Sequence, residues 1–167
     1  MAFMGYSSMV KATGTIDCST ITQMYSLFEN CTMLTEVPKI INTGKVTMVD
    51  CMFQACKALI TVEQIDASSF TSITDMFNAC TSLENLGGLL NLGKAYAGKS
   101  VNSNSCKLNL SSSTKLTHES LMNIINNLYD LAGNGMNTQQ LVLGATNLAK
   151  LTADEIAIAT NKGWTVS

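Results

Sequence analysis

A triplet of the form Phe-x-x-Cys-x-x-Leu recurs as Phe28/Cys31/Leu34, Phe53/Cys56/Leu59 and Phe77/Cys80/Leu83, and a degenerate copy, Phe3/Tyr6/Met9, precedes them. The Phe positions 3, 28, 53 and 77 step by 25, 25 and 24 residues. A fixed period of this length marks a chain built from units that cannot bury an apolar face alone and gain a core only by stacking on their neighbours. At 167 residues the chain is long enough for one such stack with a continuous core.

Further positions keep the same phase. Apolar residues lie four before each Phe (Met24, Val49, Ile73), seven before (Ile21, Val46, Phe70) and one before (Leu27, Met52, Met76). Offsets of 0, 3, 4 and 7, as in Val49/Met52/Phe53/Cys56, predict one face of a short helix. Two turns of helix are unstable in isolation, so this one is expected only when packed on its neighbours. The following Leu-x-x-Val-x-x-Ile frame (Leu34/Val37/Ile40, Leu59/Val62/Ile65, Leu83/Leu86/Leu89) is the expected place of a short strand and the bend that leaves it. Pro38, the single proline, suits a strand end because it cannot donate to a ladder. Asp17, Asn42 and Asp66 then recur with Ser or Thr close behind, the composition of turns and helix caps.

Cys31, Cys56 and Cys80 share one repeat position, which predicts a buried inward ladder of small side chains. Rungs about 4.8 Å apart leave a disulfide between neighbouring cysteines geometrically open. Cys18, Cys51 and Cys106 fall off the ladder and are expected to be unpaired. No metal site is expected: there is no CxxC, and the single histidine, His118, is remote from the cysteines.

The formal charge is −2, charged residues are 13% of the chain, and all ten basic residues are lysine. A nucleic-acid partner is therefore not expected, since such proteins carry a basic face in which arginine does much of the reading. With 46% apolar residues the chain is not compositionally disordered. No apolar run approaches the ~20 residues of a membrane span, and MAFMGYSSMV has neither the basic nor the apolar segment of a signal peptide.

Taken with the Ile73-Thr-Asp-Met76 lead-in and the Asp/Asn-x-Ser/Thr ladder, the Phe…Cys…Leu frame resembles the BspA-type leucine-rich repeat of bacterial surface and phage-associated proteins over roughly residues 1–90. The resemblance implies an α/β fold: a right-handed leucine-rich-repeat solenoid with short parallel strands on one face and short helices on the other. It also implies a role in adhesion or protein interaction, a cell-surface or extracellular location, and no catalytic residues.

Residues 91–167 form an irregular linker followed by longer capping repeats. Register is lost in NLGKAYAGKSVNSNS, after which Leu108-Asn-Leu110 with Lys115-Leu-Thr117 is echoed by Leu141-Val-Leu143 with Lys150-Leu-Thr152. Thr117 and Thr152 are N-cap residues and Thr152-Ala-Asp-Glu155 reads as a capping box. Helices are expected at 118–131, with Gly133 as stop, and at 153–162, ending at Gly163, before a last strand Trp164-Thr-Val166. The stretch from Thr146 to Trp164 resembles endings of repeat proteins in gut bacteria and their phages. Terminal repeats hide the open end of a core, and Trp164 is the expected plug. At the other end Phe3 already occupies a core position, so further repeats or another chain are expected to cover the first rung.

No catalytic set emerges. His118 lies at a helix start beside Glu119, the glycines match neither a dinucleotide nor a phosphate loop, and Asp154/Glu155 fit the positive end of a helix. No cofactor is expected. What remains is the strand face, where outward side chains of successive rungs align: Lys11, Glu36, Thr61 and Asn85 in one row, and Thr13, Pro38, Glu63 and Gly87 two residues on. The candidate binding residues are Lys11, Glu36, Thr61, Glu63 and Asn85. The expected function is a non-catalytic protein- or glycan-binding module. The alternative is a structural or assembly segment of a larger surface or phage virion protein, self-associating through its open N-terminal end.

Overall fold

A computed structural model describes residues 2–167. It is a mixed α/β arrangement of short parallel strands and few helices. In chain order the elements are β1 (Thr15–Asp17), β2 (Lys39–Ile41), β3 (Thr61–Val62), β4 (Ile65–Asp66), β5 (Asn85–Leu86), β6 (Leu89–Leu90), β7 (Leu108–Asn109), α1 (His118–Asn127), β8 (Gln139–Val142), α2 (Gly144–Leu148), α3 (Ala153–Asn161) and β9 (Trp164–Val166). Parallel pairs join β1 to β2, β3 to β5 and β4 to β6, and β7-β8-β9 form a three-stranded sheet. β2 to β6 fall in the Leu-x-x-Val-x-x-Ile frame, with Pro38 just ahead of β2.

Between strands the repeat does not form the short helix that the apolar spacing predicts. It runs as successive turns. Ser26 and Asn30, Cys51 and Ala55, and Asp75 and Ala79 have φ between 54° and 62°, a left-handed residue at every fourth position. Such residues break a right-handed helix and cost about 1 kcal/mol each when not glycine. Hydrogen bonds to the next rung offset that cost. The N–H groups of Met24, Ser26, Phe28 and Asn30 donate to the carbonyls of Met48, Asp50, Met52 and Gln54 at 2.8–2.9 Å, while intervening donors such as Met52 and Cys56 close local turns on Val49 and Phe53. Four-residue turns and a 3.6-residue helix place apolar side chains at nearly the same offsets, so the spacing alone does not separate them.

The repeat triplet forms the core. Phe3, Phe28, Phe53 and Phe77 stack with ring centroids 5.3, 5.9 and 5.4 Å apart. The thiols of Cys31, Cys56 and Cys80 donate to the carbonyls of Phe3, Phe28 and Phe53 at 3.0, 3.0 and 3.1 Å. All six cysteines are free, so the geometrically open rung-to-rung disulfide is not formed. Burial disfavours the thiolate and pushes Cys80 up to about 12, with Cys56 raised further by the same cause.

The buried core continues without a break from Cys18 to Trp164. α1 lies where another rung would stack. Its Ser120 hydroxyl donates to the Glu84 carbonyl at 2.9 Å and accepts from the Leu86 N–H at 3.0 Å, standing in for a strand's backbone. Thr117 caps α1 by accepting from the Ser120 N–H. The helix stops at Asn127, short of the expected 131, because Leu128 turns extended and bridges to Leu92, with the Tyr129 N–H donating to the Leu92 carbonyl. α3 carries the expected capping box on Thr152 and Glu155 and is followed by Gly163 at φ 85°. The Trp164 indole packs against Tyr96 and donates to the Tyr129 carbonyl at 3.0 Å. Among the described residues no helix is long and apolar enough to cross a membrane.

Candidate functional site

Period and pleat together fix the strand face. Lys11 pairs in register with Glu36, Glu36 with Thr61, and Thr61 with Asn85. The four side chains are exposed, whereas the next residues in the third and fourth rungs, Val62 and Leu86, are buried. That is the alternation of a half-buried strand, and it sets the rows one inter-strand spacing apart, about 4.8 Å.

The charges of this face are largely matched within it. Lys11 Nζ lies 2.7 Å from Glu36 Oε1, and Lys39 Nζ lies 3.8 Å from Glu63 Oε2. All four side chains are more than half exposed. Each pair therefore contributes about 1 kcal/mol or less. They set the register of charge along the face more than its stability.

The second row does not continue across the molecule. Thr13 and Glu63 are exposed, but Pro38 is buried against the expectation that it faces outward. Gly87 offers no side chain, and a Cβ there would overlap the backbone nitrogen of Gln64. The backbones of rungs three and four meet too closely at that point for any residue but glycine.

At its C-terminal margin the face is concave. A depression of about 210 Å³ is lined by Thr61, Glu63, Asn85, Glu119, Ser120 and Asn123 over a floor of Val62 and Leu86. A neighbouring hollow shares Thr61 and Glu63 and adds Glu36 and Val37. The sequence pattern of the strand face includes Thr61, Glu63 and Asn85 but not Ser120, nor its neighbours Glu119 and Asn123. The signal was present: these two residues are one turn apart and flank Ser120, a polar residue in phase with the buried Leu121, Ile124 and Ile125. What the pattern lacked was the knowledge that α1 docks on β5.

Other titratable groups are engaged in the architecture. His118 Nε2 meets Glu155 Oε1 at 2.8 Å, joining the starts of α1 and α3. Glu155 is held below its ordinary value, first by the Thr152 N–H and then by His118. Asp17 is lowered chiefly by the side chain of Asn42, then by the Ser19 N–H. Among the described residues no group of three or more His, Cys, Asp or Glu side chains is placed to hold a metal ion.

A family model described as "Mycoplasma protein of unknown function, DUF285" matches residues 1–115. That span includes every strand-face residue from Lys11 to Asn85 and ends before Glu119 and Asn123. No curated protein and no solved structure matches the chain.

Proposed function

The chain belongs to the DUF285 family, a bacterial repeat family, and from that premise we propose that it is a non-catalytic module that binds a protein or glycan at the bacterial surface through its strand face. In this reading the rungs form a right-handed leucine-rich-repeat solenoid of the BspA-like kind. The observation that carries the proposal is the unbroken parallel register of Lys11, Glu36, Thr61 and Asn85. It turns one exposed position per repeat into a continuous row, and a repeat scaffold makes such a row rigid with little ordering cost on binding. The test is capture on immobilised panels of glycans and purified proteins. Replacing Glu36, Thr61 and Asn85 together by alanine should abolish capture of any ligand found and leave the melting temperature unchanged. Capture that survives the triple change removes the strand face from consideration.

One observation favours a second reading, a structural segment of a larger surface or virion assembly. Met4, Tyr6 and Val10 are 41%, 60% and 47% exposed on the first rung, the kind of apolar group that another rung or a second chain would cover. Light scattering over a dilution series separates the readings: a monomer at all concentrations counts against self-assembly.

A further inference from the structure

Where the strand face meets α1, polar side chains converge on a concave surface and are left without partners. Among the described residues the side chains of Thr61, Asn85, Glu119 and Asn123 make no hydrogen bond within the protein, although all four line the depression. Asn127, next to the depression on the same helix, is by contrast tied to the Asn123 carbonyl and to Gln64.

The concavity is built in. Ser120 holds α1 against Glu84 and Leu86, and the Thr117 N–H donates to the Glu84 carbonyl at 3.0 Å. Gly88 lets the helix settle there, since a Cβ on it would stand 2.7 Å from Asn127 Nδ2 and 2.9 Å from the Asn123 carbonyl oxygen. The helix and strand residues that line the depression therefore keep their spacing before any ligand arrives, which lowers the ordering cost of binding.

The lining is rich in acceptors. Glu63 and Glu119 supply carboxylates, Asn85 and Asn123 supply carboxamides, Thr61 a hydroxyl, and among the described residues no basic one takes part. Glu36 extends the acidic character into the adjoining hollow. Among the described residues the one cation within ion-pair distance of this lining, Lys39, stands 3.8 Å from Glu63 with both side chains exposed, so a better-placed cation can displace it. Lysine and arginine have only donors to offer, and such donors bond most strongly to carboxylates. A sugar ring, by contrast, is usually held with its apolar face on an aromatic side chain, and no aromatic residue lines the depression.

We infer that this depression receives a lysine or arginine side chain from a protein partner, with Glu63 and Glu119 as charge partners and Asn85 and Asn123 orienting it. The inference rests on the strand-face reading above and decides between its two ligand classes in favour of protein.

The experiment is an NMR titration of the full chain with octalysine, a Gly-Ser peptide of equal length and a neutral oligosaccharide. The readouts are the Asn85 and Asn123 carboxamide signals and the backbone amides of the strand face. Octalysine should move both carboxamides saturably. Glu63→Gln and Glu119→Gln should each weaken it about tenfold, the loss of one charge-assisted contact, without lowering the melting temperature, and Lys39→Ala should tighten it. An octalysine affinity unchanged by the two glutamine substitutions, or shifts spread evenly over all acidic residues, would overturn the inference as non-specific charge attraction. If the oligosaccharide alone moves the carboxamides, or a probe shifts Glu36 while the carboxamides stay still, the inference fails and the strand-face reading survives. If no probe moves any strand-face signal, both fail.

Discussion

Between Cys51 and Cys56 the backbone donates alternately to the next rung and to itself, whereas between His118 and Asn127 it forms a helix that donates along its own axis. The two segments meet the same demand, that no buried N–H be left unpaired. The turn ladder solves it with a neighbour and accepts left-handed residues to do so. The helix needs no neighbour, and it can therefore lie on the last rung of the repeat and lend Ser120 to that rung's open edge. A repeat needs a different kind of element where the repetition stops.

The largest expected effect tests the repeat side. Phe53 stacks between Phe28 and Phe77 and is fully buried, so Phe53→Ala should cost about 3–5 kcal/mol in denaturant unfolding. A loss below about 1 kcal/mol would show that the stack is not the core of the repeat. Next comes the junction. Ser120→Ala leaves the buried Leu86 N–H without a partner and the Glu84 carbonyl with only the Thr117 N–H, and should cost about 1–3 kcal/mol. If the variant is as stable as the parent, α1 does not close the edge.

A sign change sharpens the comparison further. Ala55 is left-handed at φ 58°, so Ala55→Gly should stabilise by up to about 1 kcal/mol. Ala157 sits inside α3, where the same substitution should destabilise by about 1 kcal/mol. Opposite shifts in melting temperature are the expected outcome; a loss at both sites would mean that the repeat is helical after all. The smallest effect concerns acid. Glu155 titrates below its ordinary value of 4.5, so its contribution is complete above that value and is lost as the pH falls through the lowered one. Glu155→Gln should flatten the fall of melting temperature across that acid window and leave the rest of the pH profile alone.

What could be read from the sequence follows the same division. The Phe, Cys and Leu ladders were legible because each position repeats in phase, and their burial follows from the period alone. The capping box at Thr152 and the stop at Gly163 were legible because a helix end is a local event. The turns between strands were not, since Ser26, Cys51 and Asp75 give no glycine signal for their left-handed backbone. The end of α1 was not, because Leu128 leaves the helix to pair with Leu92, a partner far away in the chain. Glu119 and Asn123 escaped for the same reason: their place beside Asn85 is set by docking between two parts of the chain that share no repeat.

The thiol ladder has a kinetic consequence. Each of Cys31, Cys56 and Cys80 is sealed by the rungs on either side of it, and burial keeps it protonated. A thiol reagent can therefore reach one of these sulfurs only while its rung is open. The chain thus carries three native clocks at successive levels. The order in which they are alkylated reports whether the stack opens from its first rung inward or all at once.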